Sequence, residues 1–379
     1  MEKITVLYVS IDSSMGGSTA SLFGLIEGVK DWVYPIVLFP QKGSGYDYFV
    51  GHGIECFVCP FVVLFKYKKN RISEVWSHPW RWHPIKKIRM DLKCAWFMKN
   101  KLKGRRVNIV HTNTSPNDVG VYLSCLLRAK HVWHVRECLD LHYNAEIYGG
   151  MRRLISKINQ ADARIAVSNF VAAHWKMKQE GTYVIHDAAR PLSEVTYHTS
   201  KERYVLFVSY YITEQKGSRM AVEAFGKSNL WKDGVELMIV GNCQEDYKKS
   251  LLETATTYGC KQSIRFVPCQ NDVKPFFVKA IAFIMASKAE GFSRVVSESM
   301  FFGCPVLAYV ESGGAMEQVK NGETGYVFQD ANQCAELLNK VFRESQDCVI
   351  LKAQEFAKKE LSVESYGPKI MKVYNAVLN

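Results

Sequence analysis

The chain reads as two α/β halves, each a parallel sheet wound on both faces by helices. Three observations point there. The 379 residues exceed one ordinary domain of roughly 100–200 residues and suit about two. Short apolar, β-branched runs alternate with helix-length stretches along the chain, which is how strand and helix follow one another in doubly wound proteins. The alternation breaks around residues 189–194, where Arg190, Pro191 and Ser193 end one series without starting another element.

In the first half, residues 4–10 form an apolar strand. Residues 12–18, with Gly16 and Gly17, form a turn-forming loop, and Ser18 caps a helix to about residue 30. Strands follow at 34–39, 107–111, 131–135 and 163–167, with helical stretches between most of them. The second series has strands at 204–208, 236–240, 263–267, 280–286, 305–309 and 325–328. Open parallel sheets carry their ligand loops at the C-terminal ends of their strands, so two such halves are expected to face a central cleft. The expected domains are 1–192 and 193–364, with 365–379 as a C-terminal helix.

Composition narrows the function. With 47% apolar residues the chain can bury a core, which excludes disordered and fibrous classes. No apolar run approaches the roughly 18–20 residues that cross a bilayer, and the stretch after Met1, Glu2 and Lys3 is too short for a signal peptide, so a cytoplasmic location is expected. Eleven cysteines, an odd number, fit a reducing compartment rather than a disulfide framework. Cys56 and Cys59 form a CxxC pair, but it lies in an alternating strand-like stretch with no second pair at zinc spacing.

The net charge of +12 is concentrated. Residues 66–106 hold fourteen Lys and Arg against Glu74 and Asp91, which leaves the remainder neutral, and they hold Trp76, Trp80, Trp82 and Trp96, four of the eight tryptophans. Such a run can be a solvated basic face. The interleaved tryptophans favour an anionic partner, and Lys66, Lys68, Lys69, Arg71, Lys86, Lys87 and Arg89 are expected to form a membrane or acceptor surface. No RRM, KH or helix-turn-helix pattern surrounds them, so nucleic acid is not the expected partner.

The chemistry concentrates between residues 280 and 305. A buried strand enters a short loop with Glu290 and Gly291, a helix starts near Ser293, and Gly303 and Pro305 stop it. The helix N-terminus suits a phosphate, and Gly291 lets the backbone approach a ligand. Glu298, one turn into the helix, can accept from both hydroxyls of a ribose, and Glu290 can hold sugar hydroxyls. Either glutamate alone could merely complement the helix dipole. Both together, after an apolar strand and before a Gly-x-Pro stop, suggest a site.

This stretch resembles the E-x7-E motif of retaining glycosyltransferases, specifically glycosyltransferase family 4 of the GT-B fold. Gly313, Gly314 and Glu317, then the run from Asn321 to Phe328, are similar to the family's glycine-rich stretches, and residues 204–225 with Lys216 and Gly217 are similar to its donor-domain opening. Gly16 and Gly17, and the run His134, Val135, Arg136 and Glu137, resemble the family more loosely.

The resemblance implies that Glu298 binds the nucleotide ribose and Glu290 the donor sugar. It also implies that backbone N–H groups of Gly291, Phe292, Ser293, Arg294 and Val295 meet the sugar and diphosphate, and that Lys216 meets the diphosphate. Gly16 and Gly17 would border the donor, and His134 would point its imidazole at the donor sugar. The final helix would pack back on the first domain. One departure is that Tyr210 and Tyr211 stand where the family usually has Gly-Arg. No Asp-x-Asp occurs, which removes the usual carboxylate pair for a divalent ion, so neither metal nor cofactor is expected.

The expected function is retaining transfer of a sugar from a UDP- or GDP-sugar to an acceptor hydroxyl. A lipid-linked glycan of capsule, O-antigen or exopolysaccharide synthesis is the expected acceptor, at the inner face of the membrane. The lost arginine leaves open an alternative, a catalytically silent nucleotide-sugar or polyanion binding protein of the same fold.

Overall fold

The computed structural model describes residues 3–67, 84–142 and 145–379. These divide into two units, Met1–Ala188 with Val363–Asn379, and Ala189–Ser362.

The first unit runs β1 (Ile4–Val9), α1 (Gly17–Val29), β2 (Val33–Phe39), α2 (Ser44–Gly51), β3 (Glu55–Val58), β4 (Phe65–Tyr67), α3 (Pro84–Lys101), β5 (Ile109–Asn113), α4 (Val119–Leu127), β6 (Lys130–Val135), α5 (Leu139–His142), β7 (Ala145–Ile147), α6 (Met151–Ile158), β8 (Ala163–Ala166), α7 (Asn169–His174) and β9 (Thr182–Val184). The second runs β10 (Tyr204–Ile212), α8 (Ser218–Ser228), β11 (Glu236–Cys243), α9 (Glu245–Thr257), β12 (Ile264–Val267), α10 (Lys274–Lys279), β13 (Ala282–Met285), α11 (Arg294–Phe301), β14 (Val306–Tyr309), β15 (Tyr326–Phe328), α12 (Ala331–Arg343) and α13 (Asp347–Glu360). The chain then returns to the first unit with α14 (Val363–Leu378).

Each unit is built on a parallel sheet, in the order β3-β2-β1-β5-β6-β8-β9 in the first and β12-β11-β10-β13-β14-β15 in the second. The two doubly wound sheets expected from the alternation are therefore present. Both faces of the sheets are covered: β5, β8, β13 and β14 are buried at every position, and β13 and β14 are near-continuous apolar runs. The sequence did not disclose β9 or the small antiparallel pair of β4 with β7. Three residues are too few to show a period.

At the first loop, Gly16 rather than Ser18 is the N-cap of α1, with no side-chain cap bond. Asp12 organises the turn by accepting from the Ser14 N–H and hydroxyl, both at 2.8 Å. Cys56 and Cys59 are free thiols beside β3, and burial pushes the Cys56 thiol up to about 12, which keeps it protonated.

Helix α14 packs in the first unit against α1, where Gly28 faces Gly367 and a Cβ on Gly367 would overlap the Gly28 carbonyl. Its Tyr374 hydroxyl, fully buried, donates to Tyr8 Oη at 3.2 Å and stands 2.8 Å from His111 Nδ1. Nearby, Arg136 is held by an ion pair to Asp187 and donates through Nε to Asn113 Oδ1 at 2.7 Å, while Tyr366 donates to Asp187 at 3.2 Å. This buried polar cluster has most of its charge paired, as burial requires.

Candidate active site

In the second unit the residues singled out from the sequence gather in the loops after β10, β13 and β14. Lys216 ends the short turn Glu214–Lys216 that follows β10. The next residue, Gly217, has φ +75°, and a Cβ there would overlap the Ala286 carbonyl at the end of β13. Only glycine lets the start of α8 come this close, and the approach sets the lysine loop beside the glutamate loop. Lys216 Nζ then reaches Glu290 Oε1 at 2.7 Å, and Ser287 Oγ donates to the same oxygen at 2.7 Å.

Glu290 is also fixed through its backbone. Ala289 before it holds φ +54°, a left-handed conformation that disfavours a Cβ. Two neighbouring bonds hold it there: Ala289 N–H donates to Glu311 O at 2.9 Å, and Gly314 N–H donates to Glu290 O at 2.7 Å. Ser312 Oγ donates to Ser287 O at 2.7 Å, so the loops after β13 and β14 are stitched together. The Lys216 and Glu290 side chains are 22% and 16% exposed, enough to meet a ligand without being fully solvated.

Helix α11 begins with Ser293 as N-cap, but the Ser293 hydroxyl turns to Met285 Sδ at 3.7 Å and caps no N–H. The first-turn N–H groups of Arg294, Val295 and Val296 have no intrahelical acceptor and point out of the helix start with the positive end of its dipole. Gln318 anchors this end by donating to Ser293 O at 3.1 Å and accepting from Ser297 Oγ at 2.6 Å. Arg294 Nε is buried with no hydrogen-bond partner among the described residues.

Glu298 lies one turn further, with 8% of its side chain exposed. Its Oε1 accepts from Arg190 Nε at 3.2 Å and Nη2 at 3.1 Å, with Arg294 Nη2 at 3.7 Å. Arg190 escaped the sequence reading because it sits in the stretch that marks the domain junction, where nothing local distinguishes it. Ser287 and Gln318 carried no signal either. Tyr210 and Tyr211 extend β10 beyond a register shift, each 61% exposed, with their rings 4.8 Å apart.

In the first unit Gly16 and Gly17 form the start of α1, and a Cβ at Gly17 would meet nothing. One expectation is corrected, that for Lys87. His134 is fully buried at the end of β6, where Nδ1 accepts from Arg136 Nη2 at 3.3 Å and Nε2 has no hydrogen-bond partner among the described residues. Burial, with Arg136 and His111 nearby, holds its pKa well below the usual imidazole range, so it stands as a neutral group. Lys87 is not a surface residue. Its side chain is 5% exposed between Asp91 at 2.5 Å and Asp118 at 2.6 Å, because an unpaired ammonium could not be buried there. Lys86 and Arg89 are exposed on α3, and Lys66 falls in β4. Lys68, Lys69, Arg71, Trp76, Trp80 and Trp82 lie outside the described residues.

Two family models match the chain, one described as Glycosyltransferase Family 4 over residues 47–186 and one as Glycosyl transferases group 1 over residues 191–358. Among curated relatives, the chain is 31% identical over 112 residues to the lipopolysaccharide core biosynthesis glycosyltransferase LpsE of Rhizobium meliloti, covering 30% of this chain and 31% of that protein. It is 29% identical over 154 residues to the amylovoran biosynthesis glycosyltransferase AmsD of Erwinia amylovora, covering 40% and 42%. The matched part is thus less than half the length of either relative. Among solved structures, Anabaena HepE in complex with UDP and glucose superimposes with a TM-score of 0.78 at 19% identity, over 98% of this chain and 100% of that one.

Proposed function

We propose, from the premise that this chain belongs to the glycosyltransferases of the GT-B fold, that it transfers a sugar from a nucleotide-diphosphate sugar to an acceptor hydroxyl with retention at the anomeric carbon. The observation that carries the reading is the Lys216–Glu290 pair at 2.7 Å, set beside an uncapped helix start that leads to Glu298. The pair joins a cation for the leaving diphosphate to a carboxylate for the sugar. Relatives named for lipopolysaccharide core and amylovoran synthesis support a surface-polysaccharide setting, and a neighbour solved with UDP and glucose supports a UDP-sugar donor.

In this reading Glu298 accepts from the ribose hydroxyls through Oε2, since Oε1 already serves Arg190. The first-turn N–H groups of α11 and the unpartnered Nε of Arg294 meet the diphosphate, and Lys216 neutralises charge on the departing oxygen. Arg294 thereby takes up part of the work left by Tyr211, which stands where the resemblance implies an arginine. The bond from the anomeric carbon to the phosphate oxygen breaks as the acceptor oxygen bonds to that carbon on the same face, and the acceptor proton passes to the phosphate oxygen. The acceptor is a lipid-linked glycan, met by the first unit at an anionic membrane surface. No helix of the described residues is long and apolar enough to cross a membrane.

The cations and helix start named here are the proposed partners of the diphosphate, so no divalent ion is required. Transfer is expected to proceed at an undiminished rate in excess EDTA, followed as release of nucleoside diphosphate. Activity lost with chelator and restored by Mg²⁺ or Mn²⁺ would contradict this assignment of roles.

A further inference from the structure

We propose that the outer face of α3 is the surface that seats this protein on an anionic bilayer, an inference that rests on the membrane-linked acceptor proposed above and gives it a place on the molecule. Helix α3 is two-sided. Asp91, Cys94, Ala95, Met98 and, just past its end, Leu102 are buried in the first unit. On the opposite side Ile85, Leu92 and Trp96 are 62%, 41% and 64% exposed. They recur at i, i+7 and i+11, which at 3.6 residues per turn aligns them in one narrow stripe.

Cations flank this stripe. Lys86, Arg89, Lys93, Lys99 and Lys103 are exposed around it. Asp91, the one acid between residues 84 and 103, is turned inward against Lys87. Among the described residues of α3, the face therefore has an apolar centre, a cationic border and no exposed carboxylate.

That combination selects a partner. Three large apolar side chains at the centre give a nucleic-acid backbone nothing to bind, and the border repels a basic protein. An anionic bilayer matches both features: the stripe sinks to the boundary of headgroups and acyl chains, while the long cationic side chains reach lipid phosphates. A tryptophan at that depth is the aromatic residue such interfaces favour.

The test uses the full chain and large unilamellar vesicles, either of phosphatidylcholine or of phosphatidylcholine mixed equally with phosphatidylglycerol. The protein is expected to co-sediment with the mixed vesicles and not with the neutral ones. Binding should weaken as salt shortens the Debye length from about 10 Å at 0.1 M to about 3 Å at 1 M. Replacing Ile85, Leu92 and Trp96 together by Ser should lower partitioning more than about tenfold. Replacing Lys86, Arg89, Lys93 and Lys99 together by Gln should lower it at least as much, with most of the salt dependence gone.

These side chains are exposed, so both variants should keep the far-ultraviolet circular dichroism of the parent and its affinity for nucleoside diphosphate. No binding to the mixed vesicles, equal binding to neutral ones, or full binding by both variants would overturn the proposal. A parent protein that sediments with vesicles but binds no nucleotide would overturn the transfer function and leave this surface standing. One that binds nucleotide and ignores vesicles would do the reverse.

Discussion

Lys216→Ala is expected to lower turnover about 10²–10³-fold while leaving the protein folded, because one preorganised charge aimed at a developing anion contributes on that scale. The pair it forms with Glu290 at 2.7 Å is partly exposed, so its loss should cost the fold little, of the order of 0–1 kcal/mol. Gly217, which sets the approach of the loop to β13, is untouched by the substitution. The loss should fall on turnover more than on KM, since the leaving oxygen carries its full charge only as the bond breaks. Lys216→Arg keeps the charge on a larger, planar group and should recover part of the rate. Steady-state kinetics on a folded Lys216→Ala protein showing the parent's turnover would remove this lysine from the chemistry.

Glu298→Ala acts on binding instead. If Oε2 accepts from ribose through a charge-assisted bond worth about 1.5–3 kcal/mol, nucleotide affinity should fall by at least about tenfold. The variant also releases Arg190 and Arg294 from their shared carboxylate. Arg190 keeps Glu194 at 3.5 Å and the face of Phe302 at 5.5 Å, so the segment it sits on retains anchors. Glu298→Gln, which keeps an acceptor oxygen without the charge, should fall between parent and Ala. Calorimetric titration with UDP and GDP decides the matter, and an unchanged dissociation constant for Glu298→Ala would contradict the ribose assignment.

Much of this fold is written in local pattern. Strands such as β1, β13 and β14 show as apolar runs because both their faces are covered, and Gly303 with Pro305 ends α11 by backbone chemistry alone. The strands of β4, β7 and β9 are three residues each, too short to carry a period. The site was legible where one segment supplies it: Glu290 and Glu298 stand eight positions apart on one strand-loop-helix unit.

What depends on distant segments was not legible. Arg190 reaches Glu298 across 108 positions of sequence, and Lys87 is turned inward partly by Asp118, 31 positions away. A basic run does not say which of its cations face water. His134 shows the same limit, since nothing local in the sequence says that its ring is buried or that Arg136 Nη2 meets it at 3.3 Å.

The proposed reaction is retaining transfer of a sugar at the loops after β10, β13 and β14. It is tested most directly by proton NMR of the reaction itself, with the purified chain, UDP- and GDP-sugars in turn, a lipid-linked glycan acceptor and EDTA present throughout. The expected result is a new anomeric signal whose coupling constant matches the configuration of the sugar in the donor, growing as the nucleoside diphosphate is released. A product of opposite configuration, or nucleotide that binds with no donor ever consumed, would contradict it.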